Sequence, residues 1–119
     1  MFPLFKVFRR SGMYLNEYQR EARKTAIYKS RIYPFLALAE EAGEVAGKIA
    51  KKLRKEGHNF HLTDSERWGV IDELGDVLWQ LSACCEELKI PLGDVATINL
   101  DKLRSRAERN VLEGKGDNR

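Results

Sequence analysis

The sequence predicts an all-α fold, a four-helix bundle-like arrangement with antiparallel neighbours, and three observations carry that expectation. Apolar residues recur at spacings of three and four through four segments, whereas no stretch alternates apolar and polar residues as a half-buried strand would. Helix start and stop signals at Pro34, Gly57, Thr63, Pro91 and Gly93 punctuate those segments. The connections left between them are short, which sets successive helices side by side and antiparallel.

Taken in order, the first helix is predicted from about Leu15 to Ser30, with Tyr18, Ala22, Thr25 and Ala26 on one face. Pro34 suits the first turn of a second helix, because its missing N–H has no intrahelical partner there. The buried stripe of that helix is Phe35, Leu38, Ala42, Val45, Ile49 and Leu53. Lys51, Lys52, Arg54 and Lys55 sit in its last turns, where cations complement the helix dipole, and Gly57 supplies the stop. Residues 58–62 form a loop. Thr63-x-x-Glu66 is a capping box that opens a third helix with the stripe Val70, Ile71, Leu74, Val77, Leu78, Leu81, Cys85 and Leu88. Pro91 and Gly93 separate it from a fourth, roughly Asp94 to Asn110, carried by Val95, Ile98, Leu103 and Ala107. The glycine-containing tail beyond Glu113 cannot sustain a helix.

A chain of 119 residues is one domain, small enough that an oligomer interface can contribute to its stability. We divide it into an N-terminal extension, residues 1–12, and a domain, residues 13–119, with Met13 as an alternative start. The opening Met1 to Arg10 is interrupted by charge, has no small-residue cleavage site and is too short to span a bilayer. With 43% hydrophobic and 33% charged residues, composition favours neither disorder nor membrane insertion. A formal charge of +3 permits a polyphosphate or nucleic-acid partner without demanding one. Cys84 and Cys85, adjacent on a helix, cannot form a disulfide framework; buried thiols in a reducing cytoplasm are the expected state.

The chemistry is concentrated in two helical clusters of carboxylates, Glu40-Glu41-x-x-Glu44 and Glu73-x-x-Asp76, with 28 residues between them. Acids three apart project from one helix face, within about 60° of each other. A lone Glu-x-x-Glu is ordinarily a solvated face. Here the acids lie among small and apolar residues, and basic residues begin only at Lys48. Glycines at 43, 47, 69 and 75 each cost a helix interior about 1 kcal/mol relative to Ala, which predicts close backbone approach near the acids. Four like charges on two packed helices call for a divalent cation, and an all-oxygen ligand set points to Mg²⁺, or Mn²⁺, rather than zinc.

Other constellations are weaker. His58 and His61 lack a third ligand, the Glu-x-x-His pairs of a di-iron bundle are absent, and Trp68 and Trp79 read as core or interface. The basic run from Lys48 to Lys55 has no interleaved aromatics, so a solvated helix end is preferred over a nucleic-acid site.

With these residues in view, the chain resembles the MazG-like nucleoside triphosphate pyrophosphohydrolases, an all-α family that includes dimeric dUTPases and dCTP pyrophosphatases. The resemblance rests on Glu40-Glu41-x-x-Glu44 followed by Glu73-x-x-Asp76, and continues through Asn99-Leu100-Asp101-Lys102-Leu103-x-x-Arg106 to Gly114-x-Gly116-Asp117-Asn118-Arg119. It implies that Glu41, Glu44, Glu73 and Asp76 bind Mg²⁺, while Glu40 orients a ligand or a water and completes the catalytic set. Lys102 and Arg106 match a phosphate-holding pair, and Asn99 a position that faces the nucleotide; their spacing places all three on one helix face. The implied reaction converts an NTP or dNTP to the monophosphate and pyrophosphate, in a homodimer or homotetramer. A phosphoribosyl-ATP pyrophosphohydrolase and a non-catalytic helical interaction module are the alternatives. The tail from Gly114 to Arg119 is expected to fold over bound nucleotide.

Overall fold

Local signals set most helix boundaries in the structure, a computed structural model that describes residues 12–109. The helices are α1 (Leu15–Arg23), α2 (Tyr33–Glu56), α3 (Asp64–Leu88) and α4 (Leu92–Glu108), with no strand among the described residues. Pro34 lies in the first turn of α2, and Gly57 ends that helix with a φ of 79°, a conformation that favours glycine. At α3 the predicted capping box is complete. Glu66 N–H donates to Thr63 Oγ1 at 3.1 Å, and Thr63 N–H donates to Glu66 Oε1 at 2.9 Å. Lys89 closes α3 in the left-handed region, φ 57°, and Ile90 N–H then returns to the Cys85 carbonyl at 3.0 Å.

Two boundaries differ from expectation. α1 stops at Arg23 instead of Ser30, because Thr25 is drawn off the helix. Its hydroxyl donates to the Ala22 carbonyl at 2.7 Å and accepts Trp79 Nε1–H at 2.8 Å, so a tertiary contact overrides the local period. Ile27 is consequently 92% exposed. α4 begins at Leu92 and not Asp94, so Gly93 lies inside its first turn. Side chains of α1 cap it. Gln19 Oε1 accepts Leu92 N–H at 2.6 Å, and Asn16 Oδ1 accepts Gly93 N–H at 2.8 Å. A Cβ at residue 93 would stand 2.8 Å from that Asn16 oxygen, which is why glycine suits the position. The predicted end at Asn110, the extension up to residue 11 and the tail from Gly114 lie outside the described residues.

The α2–α3 hairpin is the main packing unit; α1 lies on α3 and α4 on α1. The core is small: among the described residues the buried apolar side chains are Pro34, Ala37, Ala83, Cys84, Cys85 and Leu92, and both thiols are free, as predicted. Several stripe residues remain open to solvent, among them Leu74 at 50%, Leu88 at 65% and Ile98 at 58%. The radius of gyration is 17.1 Å, against about 13 Å for a compact domain of this length. One copy of the chain therefore leaves part of its apolar surface uncovered. Among the described residues no helix is long and apolar enough to cross a membrane.

Candidate metal centre

The two long helices of the hairpin bring the acid clusters face to face. One carboxylate oxygen from each of Glu41, Glu73 and Asp76 lies within 4.8 Å of the others. Glu41 and Glu73 are half-buried, and Asp76 stands at the open edge. Glu73 Oε2 is buried and accepts from no protein N–H or hydroxyl, an arrangement that a cation, or a proton shared with a neighbouring carboxylate, would satisfy.

Glu44 completes the group from an exposed position on α2. Its carboxyl is pushed up to about 7, first because its protonated form donates a hydrogen bond to Glu73, then through repulsion by Glu41 and Glu73. Glu41 is also raised, by burial first and then by Asp76, Glu73 and Glu40. The phenol of Tyr18, on α1, is raised by burial and then by the Asp76 charge, which places the α1 face near the open side of the cluster. The cluster therefore holds more negative charge than it accommodates without a proton or a metal ion. An all-oxygen donor set with a buried orphan oxygen fits a hard divalent cation.

Of the residues singled out in the sequence, Glu41, Glu73 and Asp76 meet, and Glu44 is tied to them through Glu73. Glu40 is exposed on α2 and contributes charge to the group, but no oxygen. Asn99 and Lys102 are exposed on α4, and Arg106, on the same helix, is 4% exposed. That helix packs on α1, so their approach to the acids is not part of the hairpin's geometry.

Lys48, which the sequence assigns to a solvated helix end, belongs to the site. Its Nζ lies 3.5 Å from Glu73 Oε1. Position 48 is four residues beyond Glu44, on the same helix face, and that spacing was the available signal. The glycines also require a correction. Added Cβ atoms at Gly43, Gly47 and Gly75 would meet nothing within 4 Å, so no close backbone approach explains them. Of these four, Gly69 alone is confined: its Cβ would lie 3.2 Å from Lys48 Nζ, and the missing side chain leaves the path by which that lysine reaches Glu73.

Comparison with known proteins agrees with this geometry. The model of the MazG nucleotide pyrophosphohydrolase domain matches residues 34–111, which include both acid clusters and all of α4. The Gene 37 protein of Mycobacterium phage L5 is 38% identical over 117 residues, covering 90% of this chain and 100% of the relative. No solved structure matches the chain.

Proposed function

We propose that this chain, which belongs to the MazG nucleotide pyrophosphohydrolase family, hydrolyses a nucleoside triphosphate, ribo or deoxy, to the monophosphate and pyrophosphate. The observation that supports this most is the convergence of Glu41, Glu73 and Asp76 oxygens within 4.8 Å around an orphan oxygen of Glu73. Glu41, Glu44, Glu73 and Asp76 are the residues to hold Mg²⁺, with Mn²⁺ as a substitute. When bound, such an ion offsets phosphate charge and lowers the pKa of a water. Glu44 gives up its proton as the cation arrives, so metal binding releases protons near neutral pH. Glu40 stands beside the group without joining it, which leaves its carboxylate available to accept a proton from the attacking water. Lys102 and Arg106 are assigned to phosphate and Asn99 to the nucleotide, on their shared face of α4 and the family resemblance.

The uncovered Leu74, Leu88 and Ile98 support a homodimer or homotetramer. Two buried free thiols suit the cytoplasm. A nucleotide panel that includes phosphoribosyl-ATP, assayed with and without Mg²⁺, tests the activity. Stoichiometric monophosphate and pyrophosphate from at least one NTP or dNTP is the expected result. Hydrolysis confined to phosphoribosyl-ATP would move the protein to histidine synthesis. No turnover with either metal ion would leave a helical interaction module.

A further inference from the structure

The basic run of α2 lines a cleft beside the acid cluster that the proposed reaction does not yet use. Lys48, Lys51, Lys52 and Lys55 follow the spacing i, i+3, i+4, i+7, so they form one helix face, and that face looks onto the first turns of α3. Between them lies a cleft of about 530 Å³ whose α3 wall includes Ser65, Glu66 and Gly69. The negative end of α2 and the positive end of α3 meet here and offset one another, so the side chains decide the sign. Four lysines line the cleft against two glutamates, Glu56 and Glu66. Lys52 pairs with both glutamates, reaching Glu66 at 3.1 Å. Lys51 and Lys55 are exposed and have no carboxylate partner among the described residues.

Lys48 joins this cleft to the acid cluster through its 3.5 Å contact with Glu73, and its side chain is 46% exposed. Were a divalent cation held at Glu73, it would replace Lys48 as counter-charge, and the ammonium group would be free to meet an anion that accompanies the metal. No aromatic side chain lines the cleft, so it offers nothing on which a nucleobase can stack. It suits linked phosphates, not a nucleoside or a single-stranded nucleic acid.

We propose that the Lys48–Lys55 cleft is the subsite for the two terminal phosphates of the substrate, the part that leaves as pyrophosphate. The assignment rests on the nucleotide reading above and adds the residues that receive the phosphoanhydride end. Lys48 is the bridge from the metal centre, and Lys51 and Lys55 are the outer contacts.

The test is calorimetric titration of the full-length protein with inorganic pyrophosphate in excess Mg²⁺, without nucleotide. The double variant Lys51→Gln/Lys55→Gln is expected to weaken pyrophosphate binding at least tenfold, and Lys48→Gln to a similar degree. Orthophosphate should bind more weakly than pyrophosphate and depend less on these lysines, whereas Lys29→Gln, outside the cleft, should change nothing. Helical circular dichroism should be unaltered in the double variant, since neither exposed lysine is ion-paired. Unchanged pyrophosphate affinity in the double variant overturns the proposal. So does lysine-dependent binding of a single-stranded oligonucleotide with no pyrophosphate binding, which would make the cleft a nucleic-acid site. Lysine-dependent pyrophosphate binding in a protein that hydrolyses no nucleotide would support the cleft and remove the nucleotide reading. Nucleotide hydrolysis with lysine-independent pyrophosphate binding would do the reverse.

Discussion

The N-termini of α3 and α4 are capped by opposite means. Thr63 and Glu66 cap α3 from within one turn of chain. α4 borrows its caps from Gln19 and Asn16, 73 and 77 residues away from the N–H groups they accept. The same contrast separates the two halves of the candidate site. The acids lie on a hairpin that positions itself, while Asn99, Lys102 and Arg106 ride on a helix held by α1. A preformed acid cluster is thus joined to the proposed phosphate-binding face, whose placement depends on tertiary contacts. Experiments on each side of it can break or sharpen that division.

The largest effect belongs to the hairpin. Glu73→Gln should lower Mg²⁺-dependent turnover by more than ~100-fold, since even residues that merely orient metal ligands cost 10–100-fold. The melting temperature should hold or rise, because one of several repelling charges is removed. A variant that unfolds would make Glu73 a structural residue. On the other half, Lys102→Ala should reduce kcat/KM by about 10–100-fold, the worth of a charge-assisted phosphate contact. Mg²⁺ affinity, measured by calorimetry, should be untouched. Arg106→Ala combines that loss with destabilisation, as the side chain is buried, and Arg106→Lys should restore stability more than activity.

Gln19→Ala attacks the join itself. It orphans the Leu92 N–H and the Ile90 carbonyl, which Gln19 Nε2–H reaches at 3.1 Å, for a cost of about 2–3 kcal/mol. Turnover should fall with α4 displaced while metal binding persists. Loss of both together would show that the hairpin is not self-sufficient. Thr63→Ala is the local counterpart, costing about 1 kcal/mol with activity retained.

The smallest effect is the pH dependence of stability in the metal-free protein. Glu44 has a folded-state pKa raised to about 7 from 4.5. The folded state therefore holds a proton that the unfolded state has released between those values, and stability falls as pH rises through that window. It levels off above the folded-state pKa. Urea unfolding across pH 4–8 should show this slope, and Glu44→Gln or saturating Mg²⁺ should remove it.

What the sequence disclosed follows the same division. Pro34, Gly57 and Thr63 act on their own neighbourhoods, and α2 and α3 run where they indicate. The convergence of Glu41, Glu73 and Asp76 was equally legible, because two helices joined by a short loop leave little freedom of register. The end of α1 was not legible: Thr25 answers to Trp79, 54 residues away. Gly93 looked like a breaker until Asn16 was seen to need the space. Lys48 looked solvated because its use depends on the absence of a side chain at Gly69, across the helix pair. Leu74 and Leu88 were expected to be buried, and their exposure reflects a surface that one copy does not cover.

The paired thiols of α3 give the molecule a built-in clock. Cys84 and Cys85 are 5% and 3% exposed. Burial raises both thiols, with Cys85 adding to Cys84 and Glu86 to Cys85, so the reactive thiolate is scarce as well as screened. A thiol reagent gains access when the packing around this part of α3 opens. The labelling rate then measures how often the unit that carries Glu73 and Asp76 comes apart, without any introduced probe. Because the same helix holds the proposed metal ligands, a divalent cation bridging α2 and α3 would slow that clock by an amount that grows with its affinity.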